Sequence, residues 1–188
     1  GALLQGEVGL IRGPWNKLAI GAWTYSTEHE TLTTDADGNP VTEDWETGVY
    51  ALADRSLASG RFGELNAYVQ GGIHTDGFAR KGRFNAFTRF VGAGVTWGGF
   101  LTGRPEDEVG LMLASAWSSD GVRDDRADEG LATDARETAL ELTYRARVTE
   151  WLAVQPDLQY VINPGVDPDV GNALVVGMRF EVTLGGEW

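Results

Sequence analysis

The sequence predicts an all-β chain, about nine antiparallel strands of a transmembrane β-barrel wall, forming one domain over residues 1–188. Three observations predict it. Segments of about ten residues alternate apolar and polar side chains with period two. No run of eighteen apolar residues occurs, so a transmembrane helix is not available. The connections between the segments alternate short and long. Segment length matters too, because a globular strand is usually ~5–6 residues whereas a tilted strand crossing a bilayer needs ~9–11.

In chain order the predicted strands are 4–12, 17–28, 45–55, 63–75, 83–97, 108–118, 137–148, 152–162 and 173–184. The last three are the cleanest. In 137–148, Glu137, Glu141, Thr143, Arg145 and Arg147 oppose Leu140, Leu142, Tyr144, Ala146 and Val148. In 152–162, Gln155, Asp157 and Gln159 oppose Val154, Pro156, Leu158, Tyr160 and Ile162. In 173–184, Arg179, Glu181 and Thr183 oppose Leu174, Val176, Met178, Phe180 and Val182. Segment 63–75 sets Glu64, Asn66, Tyr68, Gln70 and His74 against Leu65, Ala67, Val69, Gly71 and Ile73. Segment 83–97 is ambiguous, and a bulge that switches its faces midway is expected. Pro156 removes a ladder donor in mid-strand, so a local bulge is expected there as well.

The short connections are 13–16, 56–61, 98–105 and 149–151, and the long, mostly acidic ones are 28–44, 74–82, 119–136 and 163–171. Outer-membrane barrels keep short turns on the periplasmic side and long loops outside. The alternation therefore predicts the bacterial outer membrane, a periplasmic C-terminus and contact with outer-membrane lipid and lipopolysaccharide. Trp15, Phe100 and Trp151 in the short turns, and Tyr160 towards the other rim, fit aromatic girdles. Nine is odd, while a barrel with both ends in the periplasm needs an even number. The set is expected to be incomplete, with further strands ahead of Gly1. The chain starts there without Met or a signal-peptide pattern, which reads as a processed form or a fragment.

Composition excludes several functions. With no cysteine there are no disulfides, thiolate metal sites or thiol catalysis. A net charge of -13 with only 15 basic residues argues against nucleic acid as a partner. An enzyme is not expected: His29 and His74 are the only histidines, and neither lies near a nucleophile-elbow pattern. The stretch 35–46 places oxygen side chains of Asp35, Asp37, Asn39, Glu43 and Glu46 at positions 1, 3, 5, 9 and 12 of a calcium-type loop. Calcium is the one cofactor the sequence suggests, through Asp35, Asp37, Asn39 and Glu46. Pro40, where such loops want Gly, favours a plain acidic loop instead.

The stretch 141–180 resembles the C-terminal signature of the carbohydrate-selective porin family, the OprB-like porins. The residues that carry it are Glu141-Leu142-Thr143-Tyr144-Arg145-Ala146, Trp151-Leu152, Gln155-Pro156-Asp157-Leu158-Gln159-Tyr160, Asn163-Pro164-Gly165, Asn172-Ala173-Leu174-Val175 and Gly177-Met178-Arg179-Phe180. Weaker likeness runs upstream through 18–23, 48–54 and Gly103-Arg104-Pro105. The resemblance implies the last part of a sixteen-stranded barrel, often a homotrimer, passing small sugars by passive diffusion.

On that reading Glu64, Asn66, Tyr68, Gln70, Glu141, Arg145, Gln155, Asp157, Gln159, Arg179 and Glu181 line the pore. Sugars are uncharged polyols, and amides, paired charges and aromatic faces suit them better than one strong field. Taken singly, each is equally a solvated wall residue or a rung of an Arg–carboxylate ladder. The rival functions are a structural or scaffold outer-membrane barrel bound to other envelope components, and a soluble ligand-binding β-sandwich.

Overall fold

The computed structural model describes residues 1–11, 16–34, 40–74, 87–101 and 103–183, with backbone alone at 27–34 and 40–44. Nine strands form one antiparallel sheet in which each pairs with its neighbours in sequence. They are β1 (Ala2–Leu10), β2 (Lys17–Thr34), β3 (Pro40–Gly60), β4 (Gly63–His74), β5 (Phe87–Gly98), β6 (Glu108–Ser118), β7 (Arg136–Thr149), β8 (Leu152–Ile162) and β9 (Ala173–Val182). β1 and β9 are the two edges.

Antiparallel partners project to the same face, so the register sorts every side chain. One face carries Glu7, Lys17, Trp23, Tyr50, Asp54, Gln70, Tyr68, Glu141 and Gln159 in cross-strand rows. The opposite face carries Val8, Ile20, Val49, Val69, Val91, Leu113, Leu140, Leu158, Val176 and Phe180, all exposed. Among the described residues only Ala19, Ala153 and Val166 are buried apolar side chains. A wall with one wide apolar face and no packed core is unstable in water, where apolar area of this extent must be covered.

β6 and β8 have the predicted bounds, and β7 and β9 differ by at most two residues at either end. The large departure is the β2–β3 hairpin, which runs on to Thr34 and resumes at Pro40. The sequence of its outer part, 27–34 and 40–44, is mostly polar and lacks the alternation that marks a half-buried strand. The register slips between Ser26 and His29 and again between Glu30 and Thr34, as the hairpin extends beyond the two-faced stretch.

Two expected bulges come out differently. In β5 the shift lies between Phe87 and Arg89 at the start of the strand, not midway. At Pro156 there is none: Thr143 pairs with Asp157 and Ala146 with Val154 in unbroken register, and β9 pairs straight past Pro156 at Met178. The proline drops out of the ladder on the β7 side only, so two rungs are missing and no extra residue is inserted.

Among the described residues the β3–β4 and β7–β8 connections are two-residue turns at one end and the β6–β7 and β8–β9 connections are longer at the other, whereas the expected long connection 28–44 is mostly strand. At one end Gly60 pairs with Gly63 across a two-residue turn. Gly63 has φ +96° there, and a Cβ would lie 2.2 Å from the Gly98 carbonyl oxygen. At the other end the 119–135 connection is not merely an acidic loop, since it forms a helix, α1 (Asp120–Asp128). Ser119 caps it by accepting from the Val122 amide at 3.1 Å, Asp120 sits in the first turn and Arg126 in the last, all favourable to the helix dipole. Arg126 then reaches Asp167 at 3.1 Å, and the Asp134 amide donates to the Val166 carbonyl at 2.8 Å. These contacts tie the β6–β7 and β8–β9 connections together.

Candidate pore wall

The polar face is built by alternation: each strand contributes every second residue, and pairing aligns these into rows across the sheet. All eleven residues singled out from sequence fall on this one face. Tyr68 and Glu141 share a row with Gly94, Met112 and Gln159. Asn66 belongs to the next row, with Thr96, Gly110, Thr143 and Asp157. Glu64, Glu108, Arg145, Gln155 and Arg179 follow towards the short-turn end. Gln70 lies one row the other way, and Glu181 pairs with Ala153 nearest the short turns.

Their interactions differ. Arg145 crosses β8 to bind Glu181 through Nε at 3.2 Å and Nη2 at 3.0 and 3.1 Å. Gln155 donates to Thr143 Oγ1 at 2.9 Å. Asn66 Oδ1 is buried without a hydrogen-bond partner. A recess of about 550 Å³ near the short-turn end is lined by Glu64, Asn66, Glu106, Glu108 and Arg145. It presents an amide oxygen, carboxylates and a guanidinium, the donor and acceptor set that hydroxyl groups need.

The first half of the sheet carries further polar-face residues, of which the sequence had placed only His74 there. Glu7 meets Lys17 at 2.6 Å and accepts from the Tyr50 hydroxyl at 3.0 Å, while Gln5 donates to that hydroxyl at 2.9 Å. His74 lies 3.2 Å from Glu46, and its ring packs edge-on against Trp23 at 5.0 Å. Tyr50 fills the space opposite Gly21, where a Cβ would come within 2.3 Å of the ring. Tyr68 does the same at Gly94, where a Cβ would lie 2.7 Å away. Ring faces therefore lie along the wall because a glycine across the strand leaves room for each. Small residues on the polar face, such as Ala19 and Gly21 in β2, read as apolar and hid the alternation in the sequence. An aromatic spaced to face a glycine across a hairpin was the available signal.

Asp35, Asp37 and Asn39 lie outside the described residues. Glu46 is inside β3, paired with Tyr25, so the second half of the 35–46 span is strand. Among the described residues no group of three or more His, Asp or Glu side chains is placed to hold a metal ion.

The turn between β5 and β6 is anchored by Asp107, which is 2% exposed. It accepts from the Arg104 guanidinium, the Tyr144 hydroxyl and, at 3.0 Å, the Arg147 amide. Arg104 above all, helped by Tyr144 and Arg147, holds this carboxyl below the usual carboxylate range against its desolvation. Aromatic side chains ring the same end. Trp97 donates to the Phe62 carbonyl at 2.9 Å and stacks at 5.2 Å on Phe100, and Trp151 is exposed nearby in the β7–β8 turn. Trp15 lies outside the described residues. Towards the opposite end, Trp117 lies on the apolar face with Trp45 beyond it, while Tyr160, expected near that rim, sits two rows in beside Leu140.

Comparison with known proteins agrees with this geometry. Residues 6–184 match the family described as carbohydrate-selective porin, OprB family. Porin B of Pseudomonas aeruginosa is 33% identical over 113 residues, covering 53% of this chain and 25% of that protein. The solved high-pH structure of Pseudomonas putida OprB superposes with a TM-score of 0.77 at 20% identity, over 96% of this chain and 47% of that one. The chain thus spans less than half the length of these relatives. The structural likeness shows a shared fold, a stretch of porin barrel wall.

Proposed function

The chain belongs to the carbohydrate-selective porin, OprB family, a family of bacterial outer-membrane channels and not of enzymes, and from that premise we propose that its sheet forms part of the wall of a pore passing small carbohydrates by passive diffusion. The observation that carries the proposal is the polar face. It is one register-locked surface on which amides, charges and aromatic rings recur, with mostly glycine and alanine between them on β5 and β6. An uncharged polyol is held transiently by many weak hydrogen bonds and ring contacts, and none of these traps it. Glu64, Asn66, Tyr68, Gln70, Glu141, Arg145, Gln155, Asp157, Gln159, Arg179 and Glu181 face the water-filled lumen in this reading, and the apolar face meets lipid.

The short turns, and with them the C-terminal end of β9, lie on the periplasmic side, and the helix-bearing loops lie outside with lipopolysaccharide around them. Supporting this are the two-residue turns at one end of the sheet, the longer β6–β7 and β8–β9 connections at the other, and the aromatic side chains towards both ends. The remainder of the wall pairs with the open edges of β1 and β9. Liposome swelling with the protein purified from outer membranes tests the function. Monosaccharides should enter faster than larger oligosaccharides. Entry of no sugar, or of all sizes alike, would sink the proposal.

A further inference from the structure

The outward, apolar face carries two arginines at its long-loop rim. Arg89 of β5, Trp117 of β6 and Arg136 of β7 are partners in a single cross-strand row, so all three side chains leave the sheet on that face. Both arginines are exposed. The Arg89 guanidinium lies 5.0 Å from the centre of the Trp117 ring. Among the described residues neither arginine meets a carboxylate, although Arg104, Arg123, Arg126, Arg145 and Arg147 all do. The nearest acid in sequence, Glu137, projects to the other face and accepts from the Gly165 amide at 2.6 Å.

Beneath this row the surface turns apolar. Val91 comes next, beside a Ser115–Thr138 hydroxyl pair that satisfies itself at 2.8 Å. Leu113 and Leu140 follow. To one side a groove of about 770 Å³ crosses β1 to β5, lined by Val8, Ile20, Val49, Ala51 and Val91, and Arg89 stands at its end. The row at Arg89 and the row at Trp97 are eight residues apart. At ~3.4 Å per residue and a tilt of ~40° that spacing spans ~21 Å of membrane, close to the ~25 Å apolar band of such barrels. The arginines therefore sit at headgroup depth with acyl-chain surface directly below.

We propose that Arg89 and Arg136, with Trp117 between them, bind the phosphorylated headgroup of an outer-leaflet lipid whose acyl chain lies in the groove. Strands two apart are separated by ~10 Å, which two arginine side chains bridge onto one phosphate. Tryptophan is suited to the same depth, apolar in its body with one N–H for the headgroup region. The inference rests on the long-loop rim facing outside, as proposed above.

The test uses the protein purified from outer membranes, stripped of lipid in detergent and titrated with bisphosphorylated lipid A by native mass spectrometry. Wild type should bind it and largely ignore the dephosphorylated form. R89A and R136A should each weaken binding about 10-fold, with unchanged sugar swelling to show an intact barrel. Equal binding by the R89A/R136A variant, or by wild type for both lipids, overturns the site. Failure of a Gly130→Cys variant to react with an impermeant maleimide on intact cells overturns the sidedness it depends on. Neither result bears on sugar passage, which swelling reads separately.

Discussion

Arg145 on β7 and Glu181 on β9 are joined over the top of β8, with three N···O distances between 3.0 and 3.2 Å. The pair places matched charges on the polar face beside Gln155 and Arg179, and it braces three strands at the short-turn end. Elsewhere on that face acids predominate: Glu7, Glu46, Asp54, Glu64, Glu108, Glu137, Glu141 and Asp157 against Lys17, Arg147 and Arg179.

A lumen of that balance should favour cations among ions. Removing the Arg145 charge leaves Glu181 uncompensated, so R145Q should raise the cation-to-anion permeability ratio on the order of 2-fold. Glu181→Gln should lower it. Reversal potentials in planar bilayers under a salt gradient read both. Unchanged selectivity in the two variants would show that these side chains do not face the conduction path.

The two-faced assignment is tested on adjacent residues of β6. Leu113 is exposed on the apolar face and Ala114 faces the other way. A charge near the middle of the lipid-facing wall costs ~2–4 kcal/mol, whereas a lumen position leaves it in water. Leu113→Arg should therefore lower the temperature at which the folded band is lost on gels, and Ala114→Arg should leave it nearly unchanged while slowing sugar entry. The reverse ranking would mean that the faces are exchanged.

The glycine-seated rings give a third expectation. At Gly21 a Cβ would lie 2.3 Å from the Tyr50 ring, and at Gly94 a Cβ would lie 2.7 Å from Tyr68. Gly21→Val and Gly94→Val should push each ring off the wall and into the lumen. Overpacking of this kind costs about 1–3 kcal/mol. The informative readout is permeation: swelling rates should fall most for the largest sugar that wild type admits. If size dependence stays fixed in both variants, the rings do not shape the passage.

How much of this was legible in the sequence depended on where alternation survived. In β7, β8 and β9 large apolar residues oppose charges and amides, so the bounds to within two residues and the common face of the seven residues named there could be read directly. In β2 the polar face is Lys17, Ala19, Gly21, Trp23 and Tyr25, and its small and aromatic members looked apolar. The polar-face residues there went unrecognised. The outer part of the β2–β3 hairpin escaped because its sequence, 27–34 and 40–44, is mostly polar and lacks a period-two pattern. The row of Arg89, Trp117 and Arg136 was invisible for another reason: it joins three strands, and register across strands is a tertiary fact. Pro156 shows the opposite error, since a local rule predicted a bulge where the neighbouring rungs hold the register.

The last expectation concerns Asp107, which gathers Arg104, Tyr144 and the Arg147 amide at the β5–β6 turn. Its carboxyl is held below the ordinary carboxylate value in the folded protein. A group with a lowered folded pKa binds protons more weakly when folded, so its contribution is complete above the unfolded value near ~3.9 and is lost as pH falls through the folded value. Wild type should keep a flat unfolding temperature from neutral pH down to about pH 4, then lose stability in stronger acid. Asp107→Asn should be less stable at neutral pH by roughly 1–3 kcal/mol, because the buried side chain at 107 can no longer accept from Arg104, Tyr144 and the Arg147 amide together. The same variant should show a shallower acid decline, since one of the protonating groups is gone. Gel-shift melting of both proteins between pH 2 and pH 7 decides the matter. Parallel curves would show that Asp107 is structurally present yet electrostatically idle.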